Sequence, residues 1–285
     1  MTALEWHTLE LALRQARRWL RRADVLAVGI GQRHEHGRWQ PGRPCIVVKV
    51  AWKLAEDRLR ATRRRPVPPW IAVDVRGRRR RVRVDVQETR GQMSGWLHGL
   101  VGSGIGHDNV TIGSVSAIVR TSGGTRLALI SGHVGNTAGR ALSIGGVAGV
   151  TRAPVFTSRM DHCLVDVPAL PDGAECLDDH ALAGVAPVAS LGVDRVLYFN
   201  RAATGQRVPV VLRHIKMDAS FDYPDGAREL KGMVVTDGLT VKGDSGALLY
   251  DNAFRAIGTL VGSFGGESYF LPCETALPTL GVTLC

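Results

Sequence analysis

The sequence predicts a mostly β protein with a small α/β unit at its front, and three observations support this fold class. The chain has 285 residues, which exceeds what one compact core usually holds, so two folded units are expected. Short apolar runs rich in Val, Ile and Leu, bounded by glycine and aspartate turns, recur along residues 113–265. The clearest helical pattern, in contrast, lies at the front of the chain.

The front unit is expected to span residues 1–90. Thr2 and Glu5 have the spacing of a capping box, and the Leu and Trp residues that follow form one side of a helix whose other side is rich in arginine. Two paired strands, a polar helix and a closing hairpin are predicted beyond it, at residues 25–31, 44–50, 54–65, 71–75 and 81–86.

Positive charge is concentrated in this front unit. Residues 1–90 hold 22 Lys and Arg against 9 Asp and Glu, a balance of +13, whereas residues 91–285 hold 14 against 17. The densest arginine runs lie at residues 63–65 and 78–81. A solvated, highly charged face is the simplest interpretation, because few aromatic residues interleave the arginines. A weak contact with a polyanion or an acidic protein is the alternative.

The sequence does not support a cofactor site, a metal site, a disulfide framework, a membrane span or a secretory signal. Gly29 and Gly31 lack the third glycine and the following helix of a dinucleotide fingerprint, and the histidines lack ligand spacing, so neither a cofactor nor a metal is predicted. The five cysteines are odd in number and have no Cys-x-x-Cys spacing, which favours free thiols in a reducing compartment. No apolar run reaches membrane-spanning length and residues 1–22 do not resemble a secretory signal, so a cytoplasmic location is expected.

The segment Gly243-Asp244-Ser245-Gly246 predicts a tight turn that exposes a serine hydroxyl. The two glycines permit backbone geometry closed to other residues, and the N–H groups of Gly243 and Ser245 are expected to form an oxyanion hole. Val241 before the turn and residues 247–250 after it are predicted to be strands.

A serine nucleophile needs a base and a group that orients the base, and the sequence offers both upstream. His133 follows an apolar strand and a small-residue turn, and Asp161 begins another apolar strand. Asp166 is the alternative to Asp161, although five residues further along a strand it would face the opposite side. The chain order is therefore His, Asp, Ser.

These motifs resemble those of the chymotrypsin-fold, trypsin-like serine peptidases. The shared features are a small-Gly-His turn ending at His133, an Asp-x-Cys-Leu strand beginning at Asp161, and Gly-Asp-Ser-Gly around Ser245. The resemblance implies a two-barrel peptidase domain over residues 91–285, with Ser245 as nucleophile, His133 as general base and Asp161 as its orienting acid. It also implies that the residues lining the first specificity pocket are Leu239, Gly262, Ser263 and Phe264, so that an apolar side chain is preferred before the cleaved bond.

The layout of the front unit is similar to that of a bacterial trypsin-like group with an α/β domain before the peptidase, an arrangement that plant narrow-leaf-type proteases share. The matching pieces are Val-x-x-Val-Gly-Ile-Gly, Ile-Val-Val-x-Val and Val-Pro-x-x-Ile-x-Val-Asp-Val, followed by Gly-Ser-Gly. No Arg-Ile-Val-Gly-Gly junction of a secreted zymogen is present, so Asp244 is expected to pair with an internal basic group or backbone donors.

The sequence as a whole predicts a serine endopeptidase that acts on protein or peptide substrates. The alternative from another class is a catalytically silent binding or scaffold module, whose basic front unit engages nucleic acid or an acidic protein. The intact Ser, His and Asp set favours the enzyme.

Overall fold

Two rings of β-strands and a strand-rich front make up the fold. The computed structural model describes residues 2–22, 24–35, 38–50, 66–88, 104–107, 110–144, 147–170, 173–177, 180–201, 204–223, 225–238, 240–241 and 243–285. The helix predicted over residues 54–65 and the predicted domain boundary between residues 90 and 91 both lie outside these ranges.

The front of the chain is a helix packed on four strands. Helix α1 (Ala3–Ala16) begins after Thr2, whose hydroxyl accepts from the Glu5 amide at 3.2 Å while the Glu5 carboxylate accepts from the Thr2 amide at 2.7 Å. This confirms the capping box. A 3-10 helix (Arg17–Arg21) and the strands β1 (Val25–Glu35), β2 (Arg38–Val50), β3 (Trp70–Val75) and β4 (Arg78–Glu88) follow. The β1–β2 and β3–β4 pairs are antiparallel, as predicted, and β2 joins β4 in parallel.

The first barrel uses the next part of the chain. Its elements are β5 (Gly104–His107), β6 (Val110–Thr121), β7 (Arg126–Ser131), the short helix α2 (Gly132–Gly135), β8 (Ala141–Ile144), β9 (Val147–Thr151), β10 (Val155–Thr157) and β11 (Met160–Asp166). Six of the strands form a ring in the order β11-β7-β6-β5-β8-β9, which the β11–β9 pairing closes. The apolar residues between 141 and 151 are divided between two antiparallel strands, with Ile144 of β8 opposite Val147 of β9.

The second barrel is closed in the same way. Its strands are β12 (Val196–Asn200), β13 (Arg207–Tyr223), β14 (Gly226–Asp237), β15 (Leu248–Tyr250), β16 (Ala256–Phe264) and β17 (Glu267–Pro272). They form a ring in the order β12-β15-β16-β17-β14-β13, closed by β12–β13. Helix α3 (Cys273–Leu280) then returns the chain to the first barrel, where β18 (Val282–Leu284) pairs with β6.

The front strands continue the sheet of the second barrel. β13 is long enough to pair with two strands along the edge that does not face β14. Val196↔Val211 belongs to its pairing with β12, and Ile30↔Ile215 and Ala27↔Ala219 belong to its pairing with β1. One sheet therefore runs from the second barrel through β1, β2, β4 and β3. The predicted fold class, a mostly β two-barrel structure preceded by a small α/β unit, is confirmed.

Candidate active site

His133 and Asp161 both belong to the first barrel, and their side chains lie in contact. The Nδ1 atom of His133 is 2.5 Å from the Oδ2 atom of Asp161, and the His133 amide donates to the Oδ1 atom at 2.8 Å. Both side chains are buried. Each carboxylate oxygen of Asp161 thus holds His133 at a different atom, which fixes the ring relative to its own backbone.

The pairing of β7 with β11 produces this arrangement. His162 lies opposite Ser131, so Asp161 comes beside the turn that follows β7. That turn must begin with glycine, because a Cβ atom at Gly132 would lie 2.8 Å from the Asp161 Oδ1 atom and 2.9 Å from the His162 amide nitrogen. The small-residue turn before His133 is therefore a steric requirement of the His–Asp contact.

The surroundings of Asp161 favour its charged form. Burial opposes the charge, but the nearby His133 and the hydrogen bonds from its ring and amide outweigh burial and hold the pKa of Asp161 below its ordinary value. A carboxylate at the Nδ1 atom places the ring proton there and leaves a lone pair on the Nε2 atom. That Nε2 atom is buried and has no hydrogen-bond partner among the described residues.

Asp166, the alternative acid, points elsewhere. Its carboxylate receives two hydrogen bonds from the Arg152 guanidinium, at 2.8 and 2.9 Å, and both side chains are exposed to solvent. The side chain that contacts His133 is that of Asp161.

The turn that contains Ser245 lies at the junction of the two barrels. The Gly246 amide and the Ser131 hydroxyl both donate to the Leu260 carbonyl, at 2.9 and 3.0 Å. The Ser245 carbonyl accepts from the Ser114 amide of β6 at 2.7 Å. Because Ser131 is two residues before His133, these bonds bring the serine turn of the second barrel next to the histidine turn of the first.

Gly246 permits this close approach. Its φ is +91°, a conformation that favours glycine, and a Cβ atom there would lie 2.3 Å from the Ser114 carbonyl oxygen. Gly243 also has a positive φ, of +98°. The positive φ angles of Gly243 and Gly246 thus explain why glycine stands at both ends of the predicted tight turn.

Two serines of the first barrel support the same turn, and sequence reasoning missed both. The Ser114 hydroxyl donates to the Gly243 carbonyl at 2.8 Å, and the Ser116 hydroxyl donates to the Gly246 carbonyl at 2.6 Å. Both serines are buried. Their alternation along β6 was a possible signal, but only the inter-barrel packing shows what they contact.

Asp244 is fully buried, and its side chain bonds the backbone of its own turn. Its carboxylate accepts from the Val241 amide at 2.8 Å, and its own amide donates to the Val241 carbonyl at 3.0 Å. The expected backbone donor is therefore present. The strand predicted at Val241 is wrong: Val241 lies outside the strands of the described residues, its backbone amide and carbonyl both bond Asp244, and it is 46% exposed.

The predicted pocket residues of β16 are partly exposed. The first six residues of this strand are buried, whereas Gly262, Ser263 and Phe264 at its end are half-buried. Leu239 lies outside the described residues, but both of its neighbours contact one side chain of β17. The Ser268 hydroxyl donates to the Gly238 carbonyl at 2.9 Å and lies 3.1 Å from the Thr240 hydroxyl.

Among the described residues, no group of three or more His, Cys, Asp or Glu side chains could hold a metal ion. His162 lies in the buried core instead: its Nε2 atom bonds the Thr259 hydroxyl at 2.6 Å, and burial lowers the pKa of this histidine to about 4. Within the same ranges, no helix is both long and apolar enough to cross a membrane.

The two closed barrels, with the serine and histidine turns at their junction, have the chymotrypsin-like serine protease fold. Similar solved structures include a Nocardiopsis protease (17% identity) and Thermobifida fusca protease A (19%); each match covers 65% of this chain and 97% of the other, with a TM-score of 0.51. A glutamic acid-specific serine protease that uses a histidine triad in substrate binding is 23% identical, with 65% and 99% covered and a TM-score of 0.51. No protein-family model and no curated protein matches the sequence.

Proposed function

We propose that this chain is a serine endopeptidase in which Ser245 is the nucleophile, His133 the general base and Asp161 the residue that orients the base. The observation that carries the proposal is the buried contact between the His133 Nδ1 atom and the Asp161 carboxylate, beside a serine turn from the other barrel. The fold shared with bacterial serine proteases supports the same activity.

The mechanism follows from the roles of the three side chains. The Nε2 atom of His133 accepts the hydroxyl proton as the Ser245 Oγ atom attacks the peptide carbonyl, and Asp161 stabilises the imidazolium that forms. His133 then donates the proton to the leaving amine, which leaves an acyl group on Ser245. Water attacks this ester with the help of the same base, and the carboxylic acid product leaves.

The charge that develops on the carbonyl oxygen needs donors fixed in advance. The N–H groups of Gly243 and Ser245 are the proposed donors. The Ser114 and Ser116 hydroxyls support this role, because they hold the carbonyls of the same turn from the neighbouring barrel.

The proposed specificity is for apolar side chains before the cleaved bond, with Leu239, Gly262, Ser263 and Phe264 lining the pocket. Phe264 packs against a buried apolar cluster that the second barrel shares with β1 and β2, and no acidic residue is present among these four. A pocket without a carboxylate binds Leu, Phe or Met better than Arg or Lys.

A set of fluorogenic peptides that differ only in the residue before the cleaved bond tests this proposal. The full-length chain is expected to cleave those with Leu, Phe or Met fastest, and Ser245→Ala to lower kcat by a factor on the order of 10⁴ or more. Leu239→Asp is expected to shift the preference towards Arg and Lys.

Ser190→Ala is the matched control, because this serine is exposed and its hydroxyl donates to the Pro187 carbonyl of its own turn. Equal rates for Ser245→Ala and Ser190→Ala would contradict the assignment of the nucleophile. A profile of the unmodified chain dominated by Arg would contradict the proposed pocket.

We also propose that the basic front unit makes a weak contact with polyanions or an acidic protein surface through the β3–β4 hairpin. Arg79 and Arg81 are exposed on this hairpin, and the Arg83 guanidinium lies 5.1 Å from the ring centre of Trp70, which is itself 44% exposed. Neighbouring cations and an accessible ring suit an anionic partner.

A further inference from the structure

Tyr223 reaches Asp161 from the second barrel. It is the last residue of β13, at the tip of the β13–β14 hairpin, where it pairs with Gly226. Its hydroxyl donates to the Asp161 Oδ2 atom at 2.9 Å, the same oxygen that faces the His133 Nδ1 atom. Its ring also meets the His133 ring edge-on, with centroids 6.2 Å apart and an interplanar angle of 75°.

The need for such a donor follows from the burial of Asp161. A carboxylate removed from water must replace its hydrogen bonds to water in order to remain charged and fixed in position. The His133 amide serves the Oδ1 atom, and the His133 ring and the Tyr223 hydroxyl share the Oδ2 atom. With the tyrosine bond in place, the Oδ2 atom cannot rotate away from the histidine.

The hairpin tip is held against the first barrel, so the hydroxyl has a defined position. The Phe156 ring of β10 meets the Tyr223 ring edge-on, with centroids 6.2 Å apart. The Arg228 guanidinium lies 4.1 Å from the Phe156 ring centre and 5.1 Å from that of Tyr223. Further along the hairpin, the Lys231 amide donates to the Ser158 carbonyl at 2.6 Å, in the turn before β11.

We propose that Tyr223 is a positioning residue for the triad: its hydroxyl fixes the Asp161 carboxylate against His133, so that docking of the β13–β14 tip on the first barrel completes the catalytic geometry. This inference rests on the proposed function. Burial and the neighbouring Asp161 raise the pKa of Tyr223, so its hydroxyl keeps its proton and remains a donor.

The test is Tyr223→Phe in the full-length chain, with Tyr250→Phe as the matched control. Both substitutions remove one buried hydroxyl and keep the ring, but the Tyr250 hydroxyl bonds Asn200 at 2.6 Å instead of the triad. Tyr223→Phe is expected to lower kcat about tenfold or more, with KM within about twofold of the unmodified chain, because the bond that it removes involves a charged group that acts in the transition state. Tyr250→Phe is expected to retain kcat.

Two further measurements separate positioning from stability. In the Asp161→Asn background, Tyr223→Phe is expected to add little to the loss of kcat, since the hydroxyl acts through the carboxylate. In the proton NMR spectrum, the far-downfield signal of the proton between His133 and Asp161, assigned by its loss in Asp161→Asn, is expected to move in Tyr223→Phe and not in Tyr250→Phe.

An unchanged kcat and an unmoved proton signal in Tyr223→Phe would overturn the inference, as would equal losses in the two tyrosine variants. If the unmodified chain cleaves no peptide, the proposed function fails; the proton signal alone then decides whether Tyr223 positions Asp161.

Discussion

Lys49 is a charged residue in a place where charges are rare, the buried junction between the front strands and the second barrel. Its side chain is 2% exposed, and its Nζ atom forms an ion pair with Glu267. The Tyr269 hydroxyl donates to the Glu267 Oε2 atom at 3.1 Å, and the His214 Nε2 atom lies 3.0 Å from the Oε1 atom. Burial alone would raise the pKa of Glu267, but Lys49 and His214 outweigh it and lower that pKa.

Lys49→Met is predicted to destabilise the protein by about 3–5 kcal/mol at neutral pH, because it leaves the Glu267 charge buried without its partner. A carboxyl group whose pKa is lowered by folding stabilises the protein above its unfolded pKa of about 4.3, and this contribution is lost as the pH falls through the folded pKa. In Lys49→Met, Glu267 no longer has its cation, so this loss on acidification should shrink. Urea unfolding at neutral and acidic pH measures both effects.

Lys216→Met provides the comparison. The ion pair between Lys216 and Glu10 is about one-third exposed on each side, and exposed pairs contribute about 0–1 kcal/mol. If both methionine variants lose the same small amount of stability, Glu267 does not depend on Lys49.

At this scale, the sequence could predict residues whose partners lie in recognisable motifs. The glycine turn before His133 and the acid at the start of a later apolar strand indicated that these two side chains meet, and the structure brings them together. Tyr223 and Ser114 could not be found in this way. Each acts across the junction of the barrels, and which residue reaches that junction depends on barrel packing and strand register.

The β3–β4 hairpin is the element on which the polyanion contact is proposed. The buried positions of β4 include Val82 and Val84, and Arg79 and Arg81 alternate with this apolar side towards solvent. The full-length chain is predicted to bind heparin weakly, with an affinity that falls steeply between low and physiological salt because counterion release drives such contacts.

Replacing Arg79 and Arg81 with serine is predicted to make heparin binding less sensitive to salt. The slope of the logarithm of the binding constant against the logarithm of the salt concentration should fall by about 1 for each anionic group that the hairpin no longer neutralises. Peptide cleavage should stay unchanged. The control is Arg18→Ser with Arg120→Ser, which removes the same charge from two other exposed positions. If both double variants elute from heparin at the same salt concentration, net charge and not the hairpin governs binding.

Elements with a local signal could be predicted, and those defined by distant pairing could not. The capping box at Thr2 and the alternating pattern of β4 are local, and both are confirmed. β17 was missed because it pairs on both sides and is buried throughout, so its sequence, Glu-Ser-Tyr-Phe-Leu-Pro, has no apolar–polar alternation. The parallel pairing of β2 with β4 was also beyond prediction, because no turn connects these two strands directly.

For the molecule as a whole, the front unit covers an edge that the second barrel would otherwise expose. β1 pairs with the half of β13 that β12 leaves uncovered, and Lys49 of β2 contacts Glu267 of β17. Exposed strand edges promote aggregation, so covering this edge is one physical contribution of β1. At the other end of the chain, β18 joins the first barrel and ties the two rings together.

Both barrels are proposed to contribute to one catalytic unit, with His133 and Asp161 from the first and Ser245 from the second. The most direct test is the intact mass of the full-length chain after treatment with a fluorophosphonate, followed by mapping of the adduct. One adduct per chain is predicted, on Ser245, with none on Ser245→Ala, full labelling of Ser190→Ala and markedly slower labelling of His133→Ala. An adduct on another residue, or undiminished labelling of Ser245→Ala, would show that Ser245 is not the nucleophile.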